Sequence, residues 1–542
     1  MTRLVHRARQ RVSRLVEKWD GEACRRRFVA FARRKWPQPA PPGEAVILLG
    51  LFPSNPWIFC SAYVTNFLAQ KHRARIESYQ FVGTVSPSLK KLYAAFGARL
   101  ALGIEDAAAH ESRIQTQAAE ILAGLRTKWD VIHLAVDGVI IGDQIYDSYL
   151  RYFNEPTVRL DDPRLRDVLV EALRIFCATR DYLARTRVAA FITDDFSYLN
   201  SGLITRLMFR AGVPIYMVAF GDPFHLLKLD SAPTGRGHHP FPCPLSFSRY
   251  YAFPQMFAEL GEAEKTAAIT RARTALEERL SGKFCPLVNM TGTTYAAGGG
   301  RVLDDGPEPR VLVMMHDFVD SPHGFRDILF PDFFEWITFL LERAEKTPFR
   351  WYVKPHPCTA DAARATINRA NAEIVEQLRQ RFPKITFLPA DTSNAQILDD
   401  GIAAMFTVHG TAGHEYAYRG VPVVNCGDNP HIAYAFNIHA GTLPEYERCI
   451  READRLAVPV SRSAIEEFFY MNYFSTPDLV GAPVNPIDER HFTGPDWGAR
   501  IEQPAIFDEL IAGATPERER GVADYLDRFF NHPERLRSAL AR

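Results

Sequence analysis

Short apolar runs alternate with longer amphipathic segments along most of this chain, and the alternation occurs in two series. The first series has apolar runs at 46–52, 75–82, 98–104, 130–136, 188–193 and 214–220. The second has them at 310–315, 349–353, 384–388, 402–407 and 421–425, with helical segments between them. Buried runs of this length separated by helices are typical of parallel strands in doubly wound sheets. The sequence therefore predicts an α/β fold with two Rossmann-like domains that face a cleft.

Interruptions of this pattern divide the 542 residues into four parts. The proline-rich segment 37–43 cannot continue a helix, so it separates a basic arm from the first domain. Around 260–305 a charged helix is followed by glycine- and aspartate-rich segments, and we place the domain boundary there. The predicted parts are an arm and linker at 1–44, an N-terminal domain at 45–300, a C-terminal domain at 301–475 and a helical tail at 476–542.

The composition bears on the class of protein and on its compartment. The 64 Lys and Arg residues balance the 64 Asp and Glu residues, so the overall charge does not indicate a nucleic-acid-binding protein. The eight cysteines include no C-x-x-C pair, which favours a reducing compartment. No stretch approaches eighteen consecutive apolar residues, and the N-terminus lacks the apolar segment of a secretory signal. We therefore expect a cytoplasmic protein that does not span a membrane.

The N-terminal arm is locally basic. Residues 1–36 carry twelve Lys or Arg against three acidic residues, with apolar residues interleaved. A basic amphipathic helix of this kind can lie on an anionic membrane surface, here the inner face of the cytoplasmic membrane. The same pattern also fits a helix packed on the body of the protein, or a partly disordered arm. The sequence leaves these interpretations open.

A Lys-Pro-His-Pro turn follows the predicted strand 349–353. The two prolines restrict the turn, so Lys354 and His356 are held at the carboxyl end of the strand together with Pro357. A cation and an imidazole at this position suit a phosphate group. The alternative is a turn that is merely rigid. We favour the phosphate-binding interpretation because ligands of doubly wound sheets bind at the carboxyl ends of the strands.

A second candidate segment, His409 to Glu415, follows the predicted strand 402–407 and begins a helix. Gly410 and Gly413 allow a ligand to approach the backbone, and the amide groups of a helix start attract phosphate. Thr411 adds a hydroxyl group, and Glu415 is placed to accept hydrogen bonds from a ribose diol. The alternative is an ordinary helix start, with Glu415 stabilising the helix N-terminus.

The loop after the strand 310–315 is too polar for a core segment. It contains His316, Asp317, Asp320 and His323, which are residue types that bind metals. Their spacing fits no known metal motif, so we expect a hydrogen-bonded loop and no metal site. His323 is also a candidate contact for the phosphate of a donor.

Three aspartates of the N-terminal half are candidate catalytic carboxylates. Asp194 and Asp195 follow the strand 188–193, and Asp137 follows the run 130–136. Group transfer to a hydroxyl needs a carboxylate as base or as nucleophile, and adjacent like charges raise one pKa. The alternatives are a helix cap for one of the pair and a turn residue for Asp137. The choice among the three stays open.

Three further polar residues, Asp143, Tyr146 and Arg151, recur at helical spacing. They form either one polar face over an acceptor pocket or a solvated helix face. In the first case Arg151 is placed to pair with the carboxylate of a sugar acid.

Two of these motifs resemble a known family. His356-Pro357 and the segment 411–415 match motifs of bacterial capsule and surface-polysaccharide biosynthesis proteins. These are GT-B glycosyltransferases related to the Kdo (3-deoxy-octulosonic acid) transferases and, more loosely, to bacterial sialyltransferases. The resemblance covers roughly residues 130–450. One departure is that His409, Gly410 and Thr411 stand where the family has a serine.

The resemblance implies a metal-independent glycosyltransferase without a cofactor other than its nucleotide-sugar donor. The C-terminal domain would bind the donor, such as CMP-Kdo or another CMP-linked acidic sugar, and the N-terminal domain a glycan or lipid-linked glycan acceptor. The product would belong to a capsule or a lipopolysaccharide-type glycan. Because one fold serves many reactions, a nucleotide-sugar 2-epimerase, a polyol-phosphate transferase and a non-catalytic scaffold of envelope assembly remain alternatives.

Overall fold

The computed structural model describes most of the chain. The described residues are 21–37, 43–81, 83, 85–219, 224–229, 250, 251, 253–282, 295, 299–324, 328–356, 365–457, 462–475 and 502–531.

Helices and strands alternate through the first half of the chain. In order they are α1 (21–35), β1 (Val46–Gly50), α2 (Asn55–His72), β2 (Arg75–Gln80), α3 (Pro87–Ala94), β3 (Arg99–Gly103), α4 (Glu111–Gly124), α5 (Lys128–Ile132), β4 (Ala135–Val136), β5 (Val139–Ile140), α6 (Gly142–Phe153), α7 (Pro163–Arg185), β6 (Val188–Thr193), α8 (Ile204–Arg210), β7 (Ile215–Ala219) and β8 (His225–Leu229).

The same alternation continues in the second half. Its elements are α9 (Phe253–Ala258), α10 (Glu262–Leu280), β9 (Arg310–Met314), α11 (Phe333–Ala344), β10 (Arg350–Lys354), α12 (Ala365–Arg381), β11 (Thr386–Phe387), α13 (Asn394–Asp400), β12 (Ala404–Thr407), α14 (Ala412–Tyr418), β13 (Val423–Asn425), β14 (Ile438–His439), α15 (Leu443–Arg451), α16 (Arg462–Phe469), α17 (Ile506–Gly513) and α18 (Pro516–Asn531).

Within the described residues, the main strands form two six-stranded sheets. The first has the order β3-β2-β1-β6-β7-β8, and the second has the order β11-β10-β9-β12-β13-β14. All pairings are parallel except that of β7 with β8. In each sheet the strand order reverses beside the central strand, which is the topology of a doubly wound Rossmann-like unit. The structure thus confirms the predicted GT-B-like α/β class, with two such units.

Ten strands of the two sheets were predicted to within two residues at each end, whereas the edge strands β8 and β14 were not predicted. One predicted strand has a different structure. The run 130–136, expected as a parallel strand, forms helix α5 and then the small antiparallel hairpin of β4 and β5. A reciprocal cap begins α5, since the Thr127 hydroxyl accepts the Asp130 amide at 3.2 Å and the Asp130 carboxylate accepts the Thr127 amide at 2.7 Å. The hairpin turns at Asp137 and Gly138, which have φ angles of 48° and 74°. An Asp-Gly pair with positive φ favours a two-residue hairpin, and this overrides the apolar run.

The described part of the N-terminal arm packs on the first unit. Phe28 of α1 is fully buried and stacks on Phe507 of α17 with ring centroids 4.5 Å apart. Phe31 and Trp36 belong to the same buried cluster. The apolar residues of 21–36 are therefore not available to a membrane surface, because they bury area within the protein. Residues 1–20 lie outside the described residues.

Helices of each half pack on the unit built by the other half. Ala272 and Leu276 of α10 share a buried cluster with Tyr416 and Ile465 of the second unit. Conversely, α17 and α18 return to the first unit, where Tyr525 is fully buried. The chain therefore passes from the first unit to the second before residue 300, where the boundary was predicted. Among the described residues, no helix has the length and apolar character needed to cross a bilayer.

We expect the Phe28→Ala variant to lose about 3–5 kcal/mol of unfolding free energy, because it empties a buried aromatic site. Phe52→Ala is the matched control, since Phe52 is 38% exposed, and it should cost about 1 kcal/mol or less. Urea denaturation of both variants measures the difference. Equal losses would contradict the packing of α1 on the body.

Candidate active site

The carboxyl edges of the two sheets meet at one interface. The segment after β6 contacts the loop after β9, where the Tyr198 hydroxyl donates to Asp320 Oδ1 at 3.3 Å. A second contact joins α6 to the same loop, since His323 Nδ1 lies 2.6 Å from Asp147 Oδ1. Residues that follow the strands of both units are thereby brought to a common region, as the doubly wound topology predicts.

His316 organises the carboxyl edge of the second sheet. Its Nε2 accepts the backbone amides of Val408 and His409 at 3.2 and 3.4 Å and lies 3.0 Å from Thr407 Oγ1. The ring also stacks on Phe333, at 4.5 Å between centroids. Burial, with the nearby His409 and His356 as smaller causes, holds the pKa of His316 well below its usual value. His316 is thus a neutral acceptor, and the backbone amide of His409, the first residue of the predicted phosphate-binding segment, is already bonded.

Lys354 and Glu415 lie beneath this edge. Each is 1% exposed, and the Lys354 ammonium is hydrogen-bonded to Asn394 Oδ1. Glu415 accepts hydrogen bonds from Arg279 Nε at 2.9 Å and from the Tyr295 hydroxyl at 2.7 Å. The sequence led us to expect that Glu415 contacts a ribose diol. In the structure its carboxylate is instead bonded to Arg279 of α10 and to Tyr295. Lys354 was likewise predicted to contact a phosphate directly, but its side chain is buried.

Two cations, Arg279 and Lys354, are buried close to the carboxylate of Glu415 beneath this edge, and the charge of Asp391 also acts on Lys354. Burial lowers the pKa of Lys354 to about 8, so the ammonium is still largely charged at neutral pH. Cations buried close to this edge favour an anion at the adjacent surface.

The exposed residues of this edge are His356 after β10 and Thr411 before α14. Gly410 is half-buried between them, and a side chain there would come within 3.0 Å of Thr407 Oγ1. Gly413 has a packing role instead, because a Cβ atom would lie 2.7 Å from His431. His409 is half-buried, and burial lowers its pKa to about 4. Pro357 lies outside the described residues.

The aspartates after β6 have different environments. The Asp195 carboxylate accepts the backbone amides of Phe196 and Ser197 at 2.7 and 2.9 Å, so it caps the following turn. Burial, and then the neighbouring charge of Asp195, raise the pKa of Asp194 to about 7. The third candidate, Asp137, lies in the hairpin turn and does not follow a strand of the main sheet. Asp194 is therefore the carboxylate suited to act as a base near neutral pH.

Helix α6 lies between the two units, so its polar face is internal. Asp143 forms a bidentate ion pair with Arg206, with both distances 2.6 Å. Tyr146 is fully buried and hydrogen-bonds Asp332 of the second unit. The predicted acceptor-facing surface is thus largely an interface between units. Arg151 is half-buried beside the ring of Tyr198, 6.0 Å from its centroid.

Several residues of this region have no distinctive sequence signal. Asp332 accepts Thr157 Oγ1 at 2.6 Å across the interface and also caps α11 through the Glu335 amide at 2.8 Å. Its Asp-x-x-Glu spacing predicts the cap, but not the contacts with the other unit. Arg279 and Tyr295 lie in segments whose sequences indicate only a charged helix and a loop.

The polar loop after β9 is hydrogen-bonded. Asp317 Oδ1 accepts Asn371 Nδ2 at 2.8 Å and the Val319 amide at 3.2 Å. Within the described part of the chain, no group of three or more His, Cys, Asp or Glu residues is arranged to hold a metal ion.

No protein-family model matches the chain, and no curated protein matches its sequence. Several solved structures are similar to the chain, all with low identities and TM-scores. A β-Kdo 2,4-transferase, KpsC of Thermosulfurimonas dismutans, is 14% identical, with 54% of this chain and 85% of that chain covered and a TM-score of 0.30. A UDP-GlcNAc 2-epimerase of Methanocaldococcus jannaschii, in complex with UDP-GlcNAc and UDP, is 11% identical, with 78% and 97% covered and a TM-score of 0.21.

An O-GlcNAc transferase variant of Thermobaculum terrenum is 11% identical, with 95% of this chain and 74% of that chain covered and a TM-score of 0.20. These proteins are glycosyltransferases and a nucleotide-sugar epimerase. At such TM-scores the similarity carries no conclusion about activity, so the site must be interpreted from its own geometry.

We expect Arg279→Met to lose about 3–5 kcal/mol of unfolding free energy, because it leaves the Glu415 carboxylate buried without its cation. The double variant Arg279→Met/Glu415→Gln should recover more than half of that loss, since neither charge remains. Arg159→Met, at an exposed ion pair, is the control and should leave the unfolding midpoint unchanged. Additive losses in the double variant would contradict the coupling.

Proposed function

We propose that this protein is a GT-B-type glycosyltransferase that moves a sugar from a nucleotide-activated donor to a hydroxyl group. The observation that carries the proposal is Asp194, a carboxylate with a pKa of about 7 at the carboxyl end of the first sheet. At the carboxyl end of the second sheet, His356 and Thr411 are exposed, and the cations Lys354 and Arg279 are buried. A base and an anion-binding edge at one interface are what transfer to a hydroxyl requires.

In the proposed reaction, Asp194 takes the proton from the acceptor hydroxyl as its oxygen attacks the anomeric carbon of the donor. The bond from that carbon to the phosphate oxygen breaks, and the nucleotide leaves with the additional negative charge. Lys354 and Arg279 would stabilise this charge through the field of their buried cations, and His356 and Thr411 would contact the phosphate. Displacement assisted by a base in this way inverts the anomeric configuration.

The motif resemblance supports a narrower form of the proposal. His356-Pro357 and the segment 411–415 favour a CMP-linked acidic sugar such as CMP-Kdo as donor, and a glycan or lipid-linked glycan of the cell surface as acceptor. Arg151 supplies a cation for a sugar carboxylate. The basic residues 1–20 are suited to contact an anionic membrane surface, which would place the cytoplasmic enzyme at the membrane that carries the acceptor.

Nucleotide binding can be tested with a thermal-shift panel of CMP, CDP, UDP and GDP. At least one nucleotide should raise the Tm of the wild type, because a ligand that binds only the folded state stabilises it. His356→Ala should reduce this shift, whereas His72→Ala, at an exposed histidine that ends α2, should not. Absence of binding by all four nucleotides would favour a scaffold. Conversion of a nucleotide sugar without an acceptor would favour an epimerase.

The role of Asp194 can be tested through the pH dependence of transfer. Because the base must be ionised, the rate should rise as the pH increases through about 7. Asp194→Asn should lower kcat by about 10²- to 10⁴-fold while nucleotide binding persists. Asp195→Asn keeps an oxygen that can cap the turn but removes a charge that raises the pKa of Asp194. The rising limb should therefore move to lower pH. An unchanged limb in this variant would argue against Asp194 as the base.

A further inference from the structure

Phe52 is an exposed aromatic residue in the loop after β1. Its exposed fraction is 38%, and among the described residues only Phe52 and Leu443 are large apolar side chains with such exposure. An aromatic ring in water forgoes the free energy of burial, and aromatic side chains commonly line ligand sites. Single apolar residues also occur on most protein surfaces, so the position and the anchoring of Phe52 decide its role.

The loop that carries Phe52 lies where the strand order of the first sheet reverses. The central strand β1 lies between β2 and β6, and the chain leaves it toward β2. β1 and β6 are parallel neighbours, paired up to Leu49 and Ile192. Phe52 therefore follows the end of β1, and Asp194 follows the end of the adjacent strand β6. Ligands of doubly wound sheets bind in the crevice between two such strand ends.

Tyr93 of α3 fixes the backbone of Phe52. Its hydroxyl oxygen accepts the Phe52 amide at 3.0 Å, and the hydroxyl donates to the Phe52 carbonyl oxygen at 2.9 Å. Tyr93 is fully buried, so its ring is held in place by the surrounding core. Burial is the main cause of the raised pKa of Tyr93, and the charge of Asp194 also contributes to it. The residue that holds Phe52 thus lies within electrostatic range of the proposed base.

Glu502 fixes the end of the same loop, where α2 begins. Its carboxylate accepts the Ser54 hydroxyl at 2.6 Å and the Asn55 amide at 3.3 Å. The Glu502 carbonyl oxygen also accepts Asn55 Nδ2 at 2.8 Å. The amides of a helix start attract phosphate, but here a carboxylate already occupies that position and would repel a second anion. The loop therefore suits a neutral ligand beside Phe52.

We propose that Phe52 is a specificity-determining residue whose ring packs against the apolar face of a neutral sugar ring, that of the acceptor. The proposal rests on the proposed function, in which Asp194 takes a proton from an acceptor hydroxyl. A pyranose presents C–H groups on its faces and hydroxyl groups around its rim. A flat aromatic ring covers one face and leaves the rim free to reach the base. Because the backbone of Phe52 is already fixed and its side chain has few rotatable bonds, binding costs little conformational entropy.

Contact with the Phe52 ring can be measured in the full chain by ¹⁹F NMR. Trifluoromethylphenylalanine replaces Phe52 in one sample and Leu443 in a second. The second is the matched control, because Leu443 is 40% exposed and lies on α15 of the second unit. The probes are the methyl glycosides of glucose, galactose and N-acetylglucosamine, with glycerol and cytidine as comparisons. At least one glycoside should shift the resonance at position 52 in a saturable manner and leave the resonance at position 443 unmoved.

Other outcomes of this titration would overturn the proposal. If no glycoside shifts the resonance at position 52, or if both labels shift equally, no sugar ring binds specifically at Phe52. If glycerol produces the same shift, the contact involves hydroxyl groups and not a ring face, because glycerol has no ring. If cytidine produces the larger shift, the aromatic surface serves a nucleobase.

The acceptor dependence of transfer gives a second measurement. Phe52→Leu keeps an apolar side chain but loses the flat face, so the KM for the acceptor should rise about 2- to 10-fold with little change in kcat. Phe52→Tyr keeps the flat face and should retain the wild-type KM. Leu443→Ala is the matched control and should also retain it. An unchanged KM in Phe52→Leu would overturn the proposal.

Failure of this proposal and failure of the proposed function give different results. If Phe52 does not contact the acceptor, nucleotides still bind in the thermal-shift panel and transfer continues with an unchanged KM in Phe52→Leu. If the protein is not a transferase, the wild type itself transfers no sugar. The resonance at position 52 reports the contact with a sugar ring in either case, because its measurement does not require turnover.

Discussion

The buried contact between Asp147 of α6 and His323 joins the two units at the point on which the site depends. Both side chains are at least nine-tenths buried, and Asp147 also accepts the backbone amide of His323 at 3.3 Å. A buried pair of this kind is costly to separate, because either group would be left with an uncompensated charge. With the bond of Tyr146 to Asp332, it sets the position of the loop after β9 against the segment after β6. The chemistry proposed here needs that juxtaposition.

Charge is distributed differently on the two sides of this interface. Around α6 the buried charges are paired, Asp143 with Arg206 and Asp147 with His323. Beneath the carboxyl edge of the second sheet, the cations Arg279 and Lys354 lie close to the carboxylate of Glu415. Cations buried there favour an anion at the adjacent surface, because buried charges are weakly screened.

The neighbouring aspartates after β6 show how local geometry assigns different roles to identical side chains. The Asp195 carboxylate accepts the backbone amides of Phe196 and Ser197 and so caps the following turn. Burial, and then the neighbouring charge of Asp195, raise the pKa of Asp194 to about 7. Adjacent carboxylates are thereby separated into a structural cap and a group that titrates near neutral pH. The same principle separates acid and base roles at many active sites.

The alternation of apolar runs and helices predicted both sheets except for their edge strands β8 and β14, because periodicity is a local property of the sequence. It also placed Asp194, His356 and the 409–415 segment after their strands, whose carboxyl ends share an edge. The hairpin at Asp137 was not predicted, because the Asp-Gly pair favours a two-residue turn where the apolar run indicated a continuous strand. Only the tertiary structure decided which candidates are exposed. Glu415, Lys354 and Tyr146 are covered by Arg279, Asn394 and Asp332, each of them distant in sequence or on the other unit. Burial and pKa depend on such neighbours, and their proximity arises only when the chain folds.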